Sequence, residues 1–150
     1  MSDIEMKKVQ SGALGEKLVA KYYRDQGFQV DESLDLYDRK KDMSIGELTC
    51  EVKTQQMFHV ERAFSVNANQ IAKCNAVDLL IFVETPSSNN GNKVNIWKYL
   101  PENRITRIRK TKDGRTMHLY DVSSCELLTC ITDEYIINQF KEYSNSEWRR

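Results

Sequence analysis

Apolar and polar positions along the chain follow a helical rhythm in some stretches and strict alternation in others, and the two divide it into elements. Residues 1–10 show no clear stripe and read as a weakly ordered lead-in. From Ser11 to Gln26, Leu14, Leu18, Val19, Tyr22 and Tyr23 form one apolar stripe, and Gly27 stands where a helix would stop. Phe28 to Asp31 reads as a short strand, followed by an acidic connection with four acids between Asp31 and Asp38. Met57 to Phe64 is ambiguous and fits a loop across the mouth of a site, with Phe58, His59 and Arg62 in reach of a substrate or in ordinary packing and surface roles. A second helix is predicted over Val66 to Asn75, capped by Ser65 or Asn67, with Gln70 and Lys73 on one face. The unbroken Leu79-Leu80-Ile81-Phe82-Val83 within Val77 to Glu84 predicts a central strand covered on both sides.

Thr85 to Asn92 is a loop, and Lys93 to Tyr99 alternates as a strand. Pro101 fits the first turn of a short helix with Leu100, Ile105 and Ile108 inside and Arg104, Arg107, Arg109 and Lys110 mostly outside. Asp113-Gly114 marks a turn, Met117 to Val122 a strand, and about Asp133 to Tyr143 a last helix with Tyr135, Ile136, Gln139 and Phe140 facing in. A hairpin, a helix and a buried strand in that order imply an α/β (α+β) domain: a mixed central sheet flanked by helices.

The hairpin is the stretch with chemistry in it. Gly46-Glu47 fits a two-residue turn with glycine first, which pairs Ile45 with Leu48, Ser44 with Thr49 and Met43 with Cys50, and sets Asp42 opposite Glu51. Like charges at directly opposed positions repel, so something must offset them. In the second strand Leu48, Cys50 and Val52 share the core face, while Glu47, Thr49, Glu51, Lys53 and Gln55 share the other. Two acids and one amine therefore converge, a set suited to a hard divalent cation and to a lysine that orients or deprotonates an attacking water. The competing reading makes Asp42 and Glu51 solvent-facing partners of Lys40, Lys41 and Lys53; a longer turn would bring Asp35 or Asp38 into the place of Asp42.

Composition narrows this little. The chain has 150 residues, 40% hydrophobic and 29% charged, which fits one domain with its own core. No apolar run is long enough to span a membrane and the start lacks a secretory pattern, so the sequence reads as intracellular, cytoplasmic, with no membrane partner. The 22 basic and 22 acidic residues cancel, so a nucleic-acid partner must be argued from local patches. Arg104 to Arg115 is one such patch, with six bases against one acid. Cys50, Cys74, Cys125 and Cys130 have no C-x-x-C spacing, which gives no support to a zinc site or a disulfide framework. Glu16 lies off the centre of its helix stripe, flanked by Gly12 and Gly15, which allow a partner backbone to approach closely; on the helix alone, it reads first as a solvated first-turn acid favoured by the helix dipole.

Glu16 on a first helix, Asp42, and Glu51-Val52-Lys53, followed by Gln70 before a buried strand, resemble the PD-(D/E)XK nuclease superfamily, and within it small Holliday-junction resolvases and related phage nucleases. The resemblance covers roughly residues 11–84 and departs from the pattern at Lys41, where many members carry proline. It implies a restriction-endonuclease-like core and a Mg²⁺- or Mn²⁺-dependent enzyme that cuts DNA. It further implies Asp42, Glu51 and the Val52 carbonyl as metal ligands, with Glu16 beside them and Lys53 at the attacking water. Gln55 and Gln70 resemble substrate-side residues, with Lys73 on the same helix face as Gln70; Arg104, Arg107, Arg109, Lys110, Lys112 and Arg115 are candidates for phosphate contacts, or simply a solvated face. A preference for junction or branched DNA would imply a homodimer. The other class of answer is a non-catalytic nucleic-acid-binding or assembly protein that keeps the fold.

Overall fold

The computed structural model describes residues 3–32, 42–104 and 106–144. Asp35, Asp38, Lys40, Lys41 and Ile105, named above, lie outside them. The order is α1 (Asp3–Asp25), β1 (Val30–Glu32), β2 (Met43–Ile45), β3 (Leu48–Gln55), β4 (Ala63–Asn67), α2 (Ile71–Ala76), β5 (Leu79–Glu84), β6 (Val94–Tyr99), β7 (Thr106–Lys110), β8 (Thr116–Asp121), β9 (Cys125–Ile131) and α3 (Glu134–Ser144).

Among the described residues six strands form one mixed sheet in the order β1-β2-β3-β5-β6-β9, in which β3 and β5 run parallel and the other neighbours antiparallel. The parallel pair needs a crossover, and the segment from β4 through α2 supplies it. One face is covered by α1 and α3, which bring Leu18, Val19, Tyr23, Ile137 and Phe140 onto Val52, Ile81, Val83 and Ile96. The other face carries a second core, in which Phe64, Val66, Cys74 and Tyr120 pack on Leu80 and Phe82. Its cover is a small antiparallel sheet, β4-β8-β7, together with α2. Every residue of β5 is buried, as the unbroken apolar run requires of a strand sandwiched between two layers. This is a mixed α/β fold with a central sheet flanked by helices.

Several expectations need correction. The first helix begins at Asp3, so the lead-in is helical; exposed Met6 and Val9 give it no core-facing stripe to read. Val66 lies in a strand, because buried Phe64 and Val66 alternate with Ser65 and Asn67 and pair with β8; only a 3₁₀ turn and the short α2 remain of the predicted helix. Asn67 precedes that turn without capping it through its side chain.

After Pro101–Asn103, a 3₁₀ turn, Arg107, Ile108 and Arg109 sit in β7 rather than in a helix. Pairing with β8 decides the outcome there, and Ile108 ends 62% exposed instead of inside. The strand β9, which the sequence reading left out, closes the far edge of the main sheet against β6. In α3, Tyr135 is 73% exposed and Ile137 takes the inward place. Leu48, at the hairpin end, is exposed as well. Among the described residues no helix is long and apolar enough to cross a membrane.

Candidate functional site

The hairpin turns as expected. Gly46 has φ of 58°, a conformation glycine adopts without strain, and Ile45, Ser44 and Met43 pair with Leu48, Thr49 and Cys50. The ladder stops one residue short of the predicted opposition: the Asp42 N–H donates to the Cys50 carbonyl (2.9 Å) and Asp42 is not a Cα partner of Glu51. The carboxylate closes the gap by another route. Asp42 Oδ2 accepts the Val52 N–H at 2.8 Å, which pins the acid to the edge of β3 beyond the end of β2. In an extended strand the N–H and C=O of one residue face the same edge, so the Val52 carbonyl looks toward Asp42 as well.

Glu51 stands on the side of β3 that faces the small sheet and α2, and is only 2% exposed. Two ammonium groups meet it there. Lys73 Nζ, from α2, lies 3.1 Å from Glu51 Oε2 and 3.7 Å from Asp42 Oδ1. Lys53 Nζ lies 3.5 Å from Glu51 Oε1 and donates to Gln70 Oε1 at 3.2 Å. The Lys73 ammonium is thus the near partner of Glu51 Oε2 and reaches Asp42 as well. Burial, together with the charge and hydrogen bond of Asp42, raises the Glu51 carboxyl above its ordinary range, against the pull of both lysines. Lys73 responds in kind: although burial alone would lower it, Glu51 and Asp42 hold it above the usual lysine value.

Glu16 approaches from the helix layer. Its carboxyl is pushed up to about 7, first by burial and then by the negative charges of Asp42 and Glu51, with Glu32 adding to them. At Gly15 the neighbour is the Thr54 side chain of β3 rather than a backbone: a methyl group there would collide with it, so glycine lets α1 lie close on β3 without displacing Thr54. Around Gly12 there is open space.

The outlying candidates divide. Gln55 turns its amide onto the backbone of β4, donating to the Ser65 carbonyl and accepting the Ser65 N–H, both at 2.8 Å. Arg107 donates to Asp121 (3.1 Å) and to the Glu61 carbonyl (2.9 Å), which braces the β7–β8 pair. Arg104 is exposed beside Tyr99 and Pro101, in a hollow that also holds Cys74 and Asp78. The contact that sequence reasoning missed is that of Lys73 with the acids. Its spacing of three from Gln70 put both on one helix face but could not aim that face at β3.

Chemically, the site is a cluster of carboxylates in excess over ammonium groups, partly shielded from water. Asp42, Glu51 and the Val52 carbonyl offer hard oxygen donors, and the raised Glu16 and Glu51 carboxyls leave room for a divalent cation to relieve the repulsion that the two ammonium groups do not. Among the described residues no three His, Cys, Asp or Glu side chains converge closely enough to hold a metal by themselves. Two carboxylates and a backbone carbonyl are the kind of hard oxygen donors that Mg²⁺ or Mn²⁺ would accept while completing the shell with water. The four cysteines are free, with Cys50 and Cys74 buried. No protein-family model, no curated protein and no solved structure matches this chain.

Proposed function

We propose that this protein is a Mg²⁺- or Mn²⁺-dependent endonuclease that hydrolyses DNA phosphodiester bonds on a restriction-endonuclease-like core. The observation that carries the reading is a glutamate 2% exposed, whose Oε1 lies 3.5 Å from Lys53 Nζ and whose other oxygen shares the Lys73 ammonium with Asp42. Burying a carboxylate costs several kcal/mol in general, and the Lys53 and Lys73 ammonium groups offset that cost only in part, since the Glu51 carboxyl is still raised above its ordinary range. A site selected only for stability would replace it with an apolar side chain.

A divalent ion held by Asp42, Glu51 and the Val52 carbonyl, with Glu16 beside them, would supply Lewis-acid polarisation of the scissile phosphate. The chain supplies the rest. Asp42, fixed by the Val52 N–H, holds its free oxygen toward Glu51's ammonium partner. Lys53, steadied by Gln70, is placed to orient the attacking water or to stabilise charge that develops on phosphate. Gln55 and Arg107 are bracing residues in this reading, and the exposed bases of the β7–β8 hairpin meet phosphate. A branched or junction substrate would call for a homodimer, since two symmetric nicks need two sites.

A second reading, a non-catalytic nucleic-acid-binding or assembly protein with the same fold, draws support from Lys73, which partly neutralises both acids without a metal. The two separate in one assay. Plasmid, flap and four-way-junction DNA incubated with Mg²⁺, Mn²⁺ or EDTA should be cut only with metal, and Glu51→Ala or Lys53→Ala should abolish cutting while circular dichroism stays native. Cutting that survives either substitution refutes these roles; no cutting by the wild type with either metal favours the second reading.

A further inference from the structure

Away from the acids, the turn joining β3 to β4 and the β7–β8 hairpin flank a cleft of about 590 Å³. Its lining includes Phe58, His59 and Val60 from the turn and Arg109, Lys110 and Lys112 from the hairpin. Four cations line it, with Arg115, against the single carboxylate of Glu61, in a protein whose formal charge is zero. Glu61 holds Arg109 at 2.7 Å and Asp113 holds Arg115 at 2.9 Å, whereas Lys110 and Lys112 have no ion pair among the described residues. Two of the lining residues are exposed apolar side chains, Phe58 at 38% and Val60 at 78%. The Arg109 guanidinium lies over the Phe58 ring, 5.8 Å from its centroid, which gives a cation and a π-face side by side.

We infer that this cleft binds an unpaired nucleic-acid strand, with bases stacked at Phe58 and Arg109 and phosphates on Lys110 and Lys112. Cations alone would suit any polyanion, and an exposed ring alone any apolar partner; a flexible strand that offers both charge and flat π-faces matches the combination. Duplex DNA hides its base faces and would meet only the lysines. Phe58 is five residues beyond Lys53, so their Cα atoms are at most about 18 Å apart, a span that a few nucleotides of one strand cover. Resting on the nuclease reading, this makes the substrate one with a single-stranded arm, such as a flap or a splayed junction, held a few nucleotides from the scissile bond.

The test is fluorescence anisotropy in EDTA with a labelled oligothymidylate, a blunt duplex of equal length and, as a competitor, vesicles of anionic lipid. The single strand should bind at least about tenfold more tightly than the duplex. Phe58→Ala should cost about tenfold in single-strand affinity, and Lys110→Glu with Lys112→Glu should cost more and flatten the salt dependence by about 0.7 in logarithmic slope per lost phosphate contact. Thermal melts confirm that each variant is folded. Equal affinity for both nucleic acids, an unchanged Phe58→Ala, or binding to vesicles alone overturns the inference. The same proteins, assayed with Mg²⁺, keep the two ideas apart. Metal-dependent cutting without single-strand binding sinks the cleft and spares the nuclease; single-strand binding without cutting does the reverse.

Discussion

Lys73 is the most informative single residue, because its ammonium faces two acids at once. Removing one partner of a buried pair leaves the other charge uncompensated, which costs about 3–5 kcal/mol when both are deeply buried and less here, where Lys73 keeps some contact with water. Lys73→Met should therefore melt earlier than the wild type in EDTA. Adding Mg²⁺ should restore more stability to the variant than to the wild type, since the ion then replaces a missing cation rather than joining an existing one. A thermal melt with and without Mg²⁺ reads both effects; a variant that ignores the metal argues that Asp42 and Glu51 hold none. Glu51 was legible as a candidate because the hairpin register brings it toward Asp42 on the charged face of β3, and Glu16 because it lies off its apolar stripe between Gly12 and Gly15. Lys73's part was not, since it depends on where α2 lies.

At the scale of elements, Gln55 is a splice between two sheets. Its side-chain amide reproduces the donor and acceptor of a strand residue, so β4 hangs on β3 through two hydrogen bonds to Ser65. Gln55→Ala leaves a half-buried backbone N–H and C=O without these partners, at about 1–3 kcal/mol for a fully buried group and less where water can replace the amide. A denaturant titration should register a loss of about 1–2 kcal/mol, with DNA affinity unchanged. A drop in affinity without loss of stability would instead return Gln55 to the substrate side. The elements misread from sequence share a cause. β4 and β7 are short strands of the small sheet, and Phe64-Ser65-Val66 and Arg107-Ile108-Arg109 satisfy a helix or a strand until β8 pairs with both. The hairpin β2–β3 needed no such arbiter, because its register follows from a local turn and the positive φ of Gly46.

Across the whole molecule the acids make stability depend on pH. Glu16 is raised from an ordinary 4.5 to about 7, and Glu51 is raised too. Between those pH values the folded chain holds protons that the unfolded chain has already lost, so folding stability without metal falls as pH rises from about 4.5 to about 7. Denaturation midpoints at about pH 5 and about pH 7.5 should show this decline, and Glu16→Gln should flatten it. A stability that climbs over that window would mean that the acids lie apart.

By itself, the sequence determined what nearest neighbours along the chain can decide: the glycine-first turn and its register, the two-sided burial of β5, and the alternation that sends Glu51 and Lys53 away from Val52. Those follow from backbone sterics and the period of a strand, which act over a few residues. Tertiary structure alone decided that β4, β7 and β8 form a second sheet, that β9 completes the first, and that Lys73 comes to rest between Asp42 and Glu51. Each of these joins residues distant in sequence, where the free energy comes from burial and pairing with a partner that local pattern does not specify.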